Sequence, residues 1–234
     1  HLHVLRRALL LYVLGIIYYG GVGQQLSDIR FLGILQRIAV CYLFASILFL
    51  NLDWRGLVGA VIALLVGYWA LLTFVPVPGL GAASYQPETN LANWVDLYYL
   101  PGRLWDDTRD PEGLLSTLPA IGTCVLGVLA GLLLKDMRIP PAQRTSWLIA
   151  GGIAMIVAGY LWGLQFPIIK AIWTSSFVLI VGGYSMILLA VSYQVIDVWE
   201  WKSWAMPFVW IGANAILLYF LNGIIGFAPL AFRL

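Results

Sequence analysis

Two short segments hold most of the side chains that could do chemistry in this chain, and the first is acidic. The stretch WDDTRDPEGLLSTLPAIG, residues 105–122, places four carboxylates and an arginine in its first eight residues, although only 10% of the chain is charged. A carboxylate can act as a general base, which makes Asp110 and Glu112 candidate catalytic groups. The same letters are typical of a helix start, with Asp110 as N-cap and Pro111 at the first helical position. The sequence supports both interpretations, and they are compatible.

The second segment, RFLGILQR at residues 30–37, is basic. Arg30 and Arg37 are seven residues apart and would share one face of a helix, with Gln36 beside Arg37. Guanidinium groups match phosphate and carboxylate geometry, so the pair favours an anion pocket. The alternative is structural, with Arg30 extending to lipid headgroups and Arg37 paired with a carboxylate of a neighbouring helix.

Two further groups of polar residues lie in apolar surroundings. The segment KAIWTSS, residues 170–176, gathers a lysine, an indole and three hydroxyls, and Asn214 lies in the last apolar run. These side chains could line a pocket. They could instead be an interfacial tryptophan, helix-capping hydroxyls and an amide that joins helices.

The elements that must position these residues are membrane helices. The chain is 62% hydrophobic with a mean hydropathy of +0.89, far outside the range of soluble proteins. Apolar runs of about 18 to 20 residues can cross a bilayer as helices. We therefore predict an all-α, polytopic transmembrane bundle with about seven spans, at residues 4–19, 32–50, 56–75, 114–134, 146–163, 174–193 and 205–225.

The loops between these spans indicate an orientation. Basic residues before the first span and in the loop KDMRIPPAQR, residues 135–144, predict that this side and the N-terminal end are cytoplasmic. The long loop at 76–112 is then extracytoplasmic, and its Trp and Tyr content suggests a partly ordered interfacial segment. Small residues at four-residue spacing, Gly59, Gly67, Gly127 and Gly131 among them, predict close helix contact.

Several classes of function are not favoured. The net charge of +2 and the dispersed basic residues argue against a nucleic-acid partner. Cys41 and Cys124 lie in predicted spans and are expected to behave as small apolar residues. The two histidines, His1 and His3, form no catalytic triad or metal cluster with other residues in the sequence, so no metal is expected.

Six blocks of the sequence resemble the heparan-alpha-glucosaminide N-acetyltransferase family of multi-pass membrane acyltransferases, especially its bacterial members. The blocks occur in family order and cover nearly the whole chain; RFLGILQRIAVCYL and DPEGLLSTLPAIGT are the most specific. The others are VPVPGLGA, NLANWVD, FPIIKAIWTSSFVL and GANAILLY.

The resemblance implies an enzyme that moves an acetyl group from cytosolic acetyl-CoA to an amino sugar or glycan on the outer side of a membrane, here the bacterial inner membrane. The family's catalytic histidine lies in an earlier membrane segment that these residues do not contain. Residues 1–234 are therefore expected to be a single acyltransferase-like domain, incomplete at both ends and inactive alone. A transporter or flippase of envelope glycan precursors is the alternative, and self-association into a homo-oligomer stays open.

The resemblance also implies roles for single positions. Phe31, Leu32 and Ile168 depart from the family pattern, so the helix start near Arg30 and one polar contact near Lys170 are expected to differ. Supporting catalytic roles fall to Asp110 and Glu112. Binding of acetyl-CoA falls to Arg30, Gln36, Arg37 and Lys170, and lining of the pocket to Arg109, Ser116, Trp173, Ser175, Ser176 and Asn214.

Overall fold

The protein is all-helical in the residues that the computed structural model describes, which are 2–21, 23–86, 89–106 and 109–225. Two isolated backbone bridges, Arg30 with Gly102 and Val77 with Gly81, are the β-type pairings in that part of the chain. The helices are α1 (Leu2–Tyr18), α2 (Ile34–Asn51), α3 (Trp54–Phe74), α4 (Leu91–Tyr99), α5 (Thr117–Lys135), α6 (Pro141–Gly163), α7 (Ser175–Tyr193), α8 (Met206–Ala213) and α9 (Ala215–Ile225).

The prediction of an all-helical protein with several membrane-spanning helices is confirmed. Among the residues that the structure describes, five helical segments could cross a membrane by length and composition: α2, α3, α5, α6 and α7 with its π-helical extension to Val198. The pair formed by Ser203–Ala213 and Ala215–Asn222, bent by 64°, would be a sixth. The predicted first span corresponds to α1, whose 17 residues are few for a spanning helix. The number seven therefore stays a prediction.

The chain divides into two compact units, His1–Ala190 and Val191–Leu234. Most of the candidate site residues belong to the first unit. Its membrane core joins α2, α3, α5 and α7 through fully or nearly buried side chains such as Leu57, Leu65, Val125 and Val178. Because these apolar faces are buried against one another, the N-terminal ends of α2 and α5 lie next to each other.

A second core cluster anchors the long loop onto the bundle. Leu91 and Ala92 of α4 pack with Tyr68 and Leu72 of α3 and with Phe166. Asn90 caps α4, since its side chain accepts a hydrogen bond from the amide of Asn93 at 2.8 Å. The predicted partial order of the loop is confirmed here, because α4 has a buried face.

Three expectations about local structure are wrong. Asp110 does not cap the fourth span, because α5 begins at Thr117 and Ser116 occupies the N-cap position. Arg30 and Arg37 do not share a helix face, because α2 begins at Ile34 after an extended Gly33. The small-residue stripes do not mark close contacts: a Cβ added at any of the four positions would meet no described atom within 4 Å. Those positions are Gly59, Gly67, Gly127 and Gly131.

Candidate functional site

The centre of the site is a buried cluster of three charges contributed by two distant segments. The Arg30 guanidinium donates to Asp110 through Nε at 3.1 Å and Nη2 at 2.7 Å, and Nη2 also lies 2.6 Å from Glu112 Oε2. The side chains of Arg30 and Asp110 are 7% and 0% exposed. One positive charge thus faces two carboxylates away from water, a costly arrangement that needs these hydrogen bonds.

Aromatic rings and a glycine hold Arg30 in place. Its guanidinium carbon lies 4.8 Å from the centre of the Tyr19 ring and 4.7 Å from that of Trp105. Gly102 pairs with the Arg30 backbone at a φ of 79°, and a side chain there would overlap the carbonyl oxygen of Ile29. Only glycine suits both the close approach and the left-handed backbone.

Asp110 organises its own turn as well as binding Arg30. Its carboxylate accepts hydrogen bonds from the backbone amides of Glu112 at 3.0 Å and Trp105 at 3.1 Å. The pKa of Glu112 lies above its usual range because of burial and the nearby Asp110, although Arg30 opposes the shift. Of the two carboxylates, Glu112 is the more exposed, at 17% for its side chain.

Arg37 contacts the same segment through carbonyl oxygens. Nη1 donates to Pro111 O and Nη2 to Ser116 O, both at 2.7 Å, and the guanidinium lies 4.5 Å from the Trp173 ring centre. The buried Nε has no hydrogen-bond partner among the described residues. Arg30 and Arg37 therefore both contact the 110–116 turn. They do so without sharing a helix face, which their spacing had predicted.

Gln36 faces a different neighbour. It is fully buried, donates to Arg30 O at 3.2 Å, and its Oε1 has no partner in the described part of the chain. A side chain at Gly15 of α1 would overlap the Gln36 amide, so this glutamine fills the gap between α1 and α2.

The hydroxyls of the KAIWTSS segment are used internally. Ser175 donates to Leu65 O and Ser176 to Phe166 O, both at 2.7 Å, and both residues are fully buried. Trp173 has a φ of 53°, unusual for a bulky residue, and its Nε1 donates to Thr123 at 3.3 Å. Lys170 is exposed on the same turn. Of the residues in this turn, Trp173 contacts Arg37, whereas Ser175 and Ser176 bind backbone carbonyl oxygens.

A cavity of about 150 Å³ opens beside the charged cluster. Arg109, which pairs with Asp106 at 2.9 Å, lies at its exposed edge. Asp107 lies outside the described residues. The lining combines aromatic, polar and apolar groups from the long loop and the 169–172 turn: Tyr85, Asn93, Trp105, Arg109, Asp110, Pro111, Ile169, Ala171 and Ile172.

Asp96 is a buried acid near the site that the sequence analysis did not single out. It is 1% exposed, and its Oδ1 accepts a hydrogen bond from the Leu114 amide at 2.7 Å. Burial raises the pKa of Asp96 to about 7, with Asp110 adding to the shift and Leu114 and Arg37 opposing it. The available signal was a lone acid within the otherwise uncharged segment NLANWVDLYYL, residues 90–100.

Asn214 belongs to the second unit and marks the break between α8 and α9. It is exposed, and its side-chain amide donates to Trp210 O at 2.9 Å. In the part of the chain that the structure describes, no three His, Cys, Asp or Glu side chains are grouped as metal ligands would be.

Comparisons with known proteins place these features in context. A scan against protein-family models gives no match. The chain is 29% identical to heparan-alpha-glucosaminide N-acetyltransferase of Homo sapiens and 26% identical to that of Mus musculus. Each alignment covers 82% of this chain and 37% of the relative, so the chain spans little more than a third of these proteins. The two matches support the family that the sequence blocks indicated, the heparan-alpha-glucosaminide N-acetyltransferases.

Proposed function

We propose that the protein is a membrane acyltransferase that moves an acetyl group from acetyl-CoA to the amino group of an amino sugar or glycan at the outer side of a membrane. The support is the likeness to named N-acetyltransferases over 82% of the chain. The observation that carries the proposal within the molecule is the Arg30, Asp110 and Glu112 cluster beside the cavity.

The cavity suits an amino-sugar acceptor. Trp105 and Tyr85 offer aromatic surface for the apolar face of a sugar ring, and Asn93 adds an amide to the polar part of the lining. Asp110 and Glu112 supply negative charge, which attracts the ammonium form of an amine in surroundings of low dielectric constant. The acceptor nitrogen would then lie close to Asp110, which lines the cavity, with Glu112 beside it in the charged cluster.

Acetyl transfer requires that this nitrogen lose a proton. The ammonium gives up this proton first. The free amine then attacks the thioester carbonyl carbon, the C–N bond forms and the C–S bond breaks, and the second proton that the nitrogen loses passes to the CoA thiolate, which leaves as a thiol. Glu112 suits a supporting role in taking up the amine proton, because its raised pKa makes it a stronger base than an exposed glutamate. Asp110 holds Arg30 and the turn, so its role in this proposal is to orient Glu112.

Of the cationic groups proposed for acetyl-CoA, Arg37 fits best. Its Nε is a buried donor that lacks an acceptor among the described residues, so a carbonyl or phosphate oxygen would satisfy it. Arg30 already donates to two carboxylates, and a donor phosphate would have to displace them. Lys170 is exposed and could reach only a part of the donor that extends outward.

A labelled-acetyl assay tests the proposal. The full-length protein is reconstituted in vesicles with radiolabelled acetyl-CoA and glucosamine, and label on the amino sugar is measured. We expect acetylated glucosamine, a rate about 100-fold lower for Glu112→Gln, as for loss of a general base, and an unchanged rate for the exposed control Asp28→Asn. Passage of unmodified glucosamine across the vesicle membrane without any acetylation would instead favour the transporter.

A further inference from the structure

A chain of contacts links the interior of the long loop to the candidate site. Helix α4 is fixed to α3 and Phe166 through its buried face. Asp96, on that face, accepts a hydrogen bond from the amide of Leu114. Leu114 follows Glu112 by two residues and precedes Ser116, whose carbonyl oxygen binds Arg37.

The fit between Asp96 and the turn is close on its other side as well. A Cβ built at Gly113 would overlap the Asp96 carboxylate, so the residue after Glu112 must lack a side chain for Asp96 to reach Leu114. The carbonyl oxygen of Gly113 in turn accepts hydrogen bonds from the hydroxyls of Ser116 at 3.1 Å and Thr117 at 2.8 Å. The turn is therefore held by Asp96 on one side and by the hydroxyls of Ser116 and Thr117 on the other.

We propose that Asp96 is a positioning residue for this site: it holds the 111–116 turn so that Glu112 meets Arg30 and the carbonyl oxygens of Pro111 and Ser116 meet Arg37. Asp96 acts through Leu114 and does not itself line the cavity. Its catalytic consequence rests on the proposed function, whereas its effect on the turn does not.

Hydrogen–deuterium exchange tests the effect on the turn without any activity. In lipid nanodiscs at about pH 8, where an acid with a pKa near 7 is mostly ionised, exchange is followed in a peptide that covers 112–118. We expect Asp96→Ala to speed exchange about tenfold or more, the size expected for losing a charge-assisted hydrogen bond. Asp96→Asn keeps an acceptor for Leu114 and should stay within about threefold of the wild type. The exposed control Asp28→Asn should show wild-type exchange.

Substitution of Gly113 tests the contact between Asp96 and the turn independently, because it changes the turn and leaves Asp96 in place. Gly113→Ala should mimic Asp96→Ala, because the new methyl displaces the carboxylate. The double variant should be no worse than either single one, because removing the carboxylate makes room for the methyl. Wild-type exchange in Asp96→Ala, or additive effects in the double variant, would overturn the proposal. If Asp96→Ala does not fold, Asp96→Ser and Gly113→Ala carry the same comparison.

The acetylation assay then separates the two proposals. With an active wild type, Asp96→Ala should lower kcat about tenfold or more, and Asp96→Asn should restore most of it. Equal loss of kcat in the Ala and Asn variants would contradict positioning by the hydrogen bond. An inactive full-length wild type with the expected exchange pattern would refute the proposed function alone.

Discussion

At the scale of single residues, burial decides which ion pairs matter. Arg30 and Arg138 each bind a carboxylate at under 3 Å, but the Arg30 side chain is 7% exposed and that of Arg138 is 90% exposed. Water and salt screen the exposed pair, so its net contribution is small. Removing one partner of the buried cluster leaves charges without compensation in an apolar environment.

We therefore expect Arg30→Gln to destabilise the protein by about 3–5 kcal/mol, since Asp110 and Glu112 lose their cation. The matched change Arg138→Gln should leave the free energy of unfolding nearly unchanged, because water and salt screen this exposed pair. The measurement is the free energy of unfolding in detergent micelles for both variants. Equal losses would show that the Arg30 cluster is not buried from solvent in the folded protein.

The sequence predicted much of this cluster because charge is rare in an apolar chain. Arg30, Arg37, Asp110 and Glu112 were chosen by type and spacing, and the structure brings all four to one turn. The backbone path between Arg30 and Arg37 was not predictable, because Gly33 is extended and α2 begins only at Ile34. Asp96 was missed because its importance depends on a contact 18 residues further along the chain.

At the scale of elements, close helix contacts lie at glycines that the spacing argument did not select. An added Cβ at Gly152 of α6 would lie 2.8 Å from Gly183 O and 2.7 Å from Ile187 Cγ1 of α7. Gly127 of α5 faces open space. Four-residue spacing shows that small residues share a helix face, but it does not show which face meets another helix.

This difference predicts opposite results from the same substitution. Gly152→Ala should destabilise the protein by about 1–3 kcal/mol, because a backbone carbonyl cannot move aside easily. Gly127→Ala should be neutral or stabilising by up to about 1 kcal/mol, from helix propensity alone. Thermal unfolding of the two variants in the same detergent provides the comparison. An unchanged stability for Gly152→Ala would contradict the packing of α6 on α7, and a loss of stability for Gly127→Ala would contradict the open space beside Gly127.

At the scale of the whole molecule, the first unit separates its charged groups toward two ends. The site lies before the first residue of α5, and the turn with Asp136 and Arg138 follows its last. The 19 residues of α5 extend about 28 Å, close to the thickness of a bilayer's hydrocarbon core. The amino-acid pattern thus predicted that charged groups flank both ends of this apolar helix, while bends such as that at Asn214 depend on packing and backbone geometry.

The basic loop at 135–144 predicts which end faces the cytoplasm, and accessible cysteines can test it. Tyr98 in α4 is 67% exposed, and Met137 beyond α5 is 82% exposed. In a background with Cys41 and Cys124 replaced by alanine, a membrane-impermeant maleimide added to intact cells should label the Tyr98→Cys variant. It should label the Met137→Cys variant only after the cells are permeabilised. The reverse pattern would place the Arg30 cluster on the cytoplasmic side, where an extracytoplasmic sugar could not reach it, and labelling of both variants from outside would show that no membrane separates the two ends of α5.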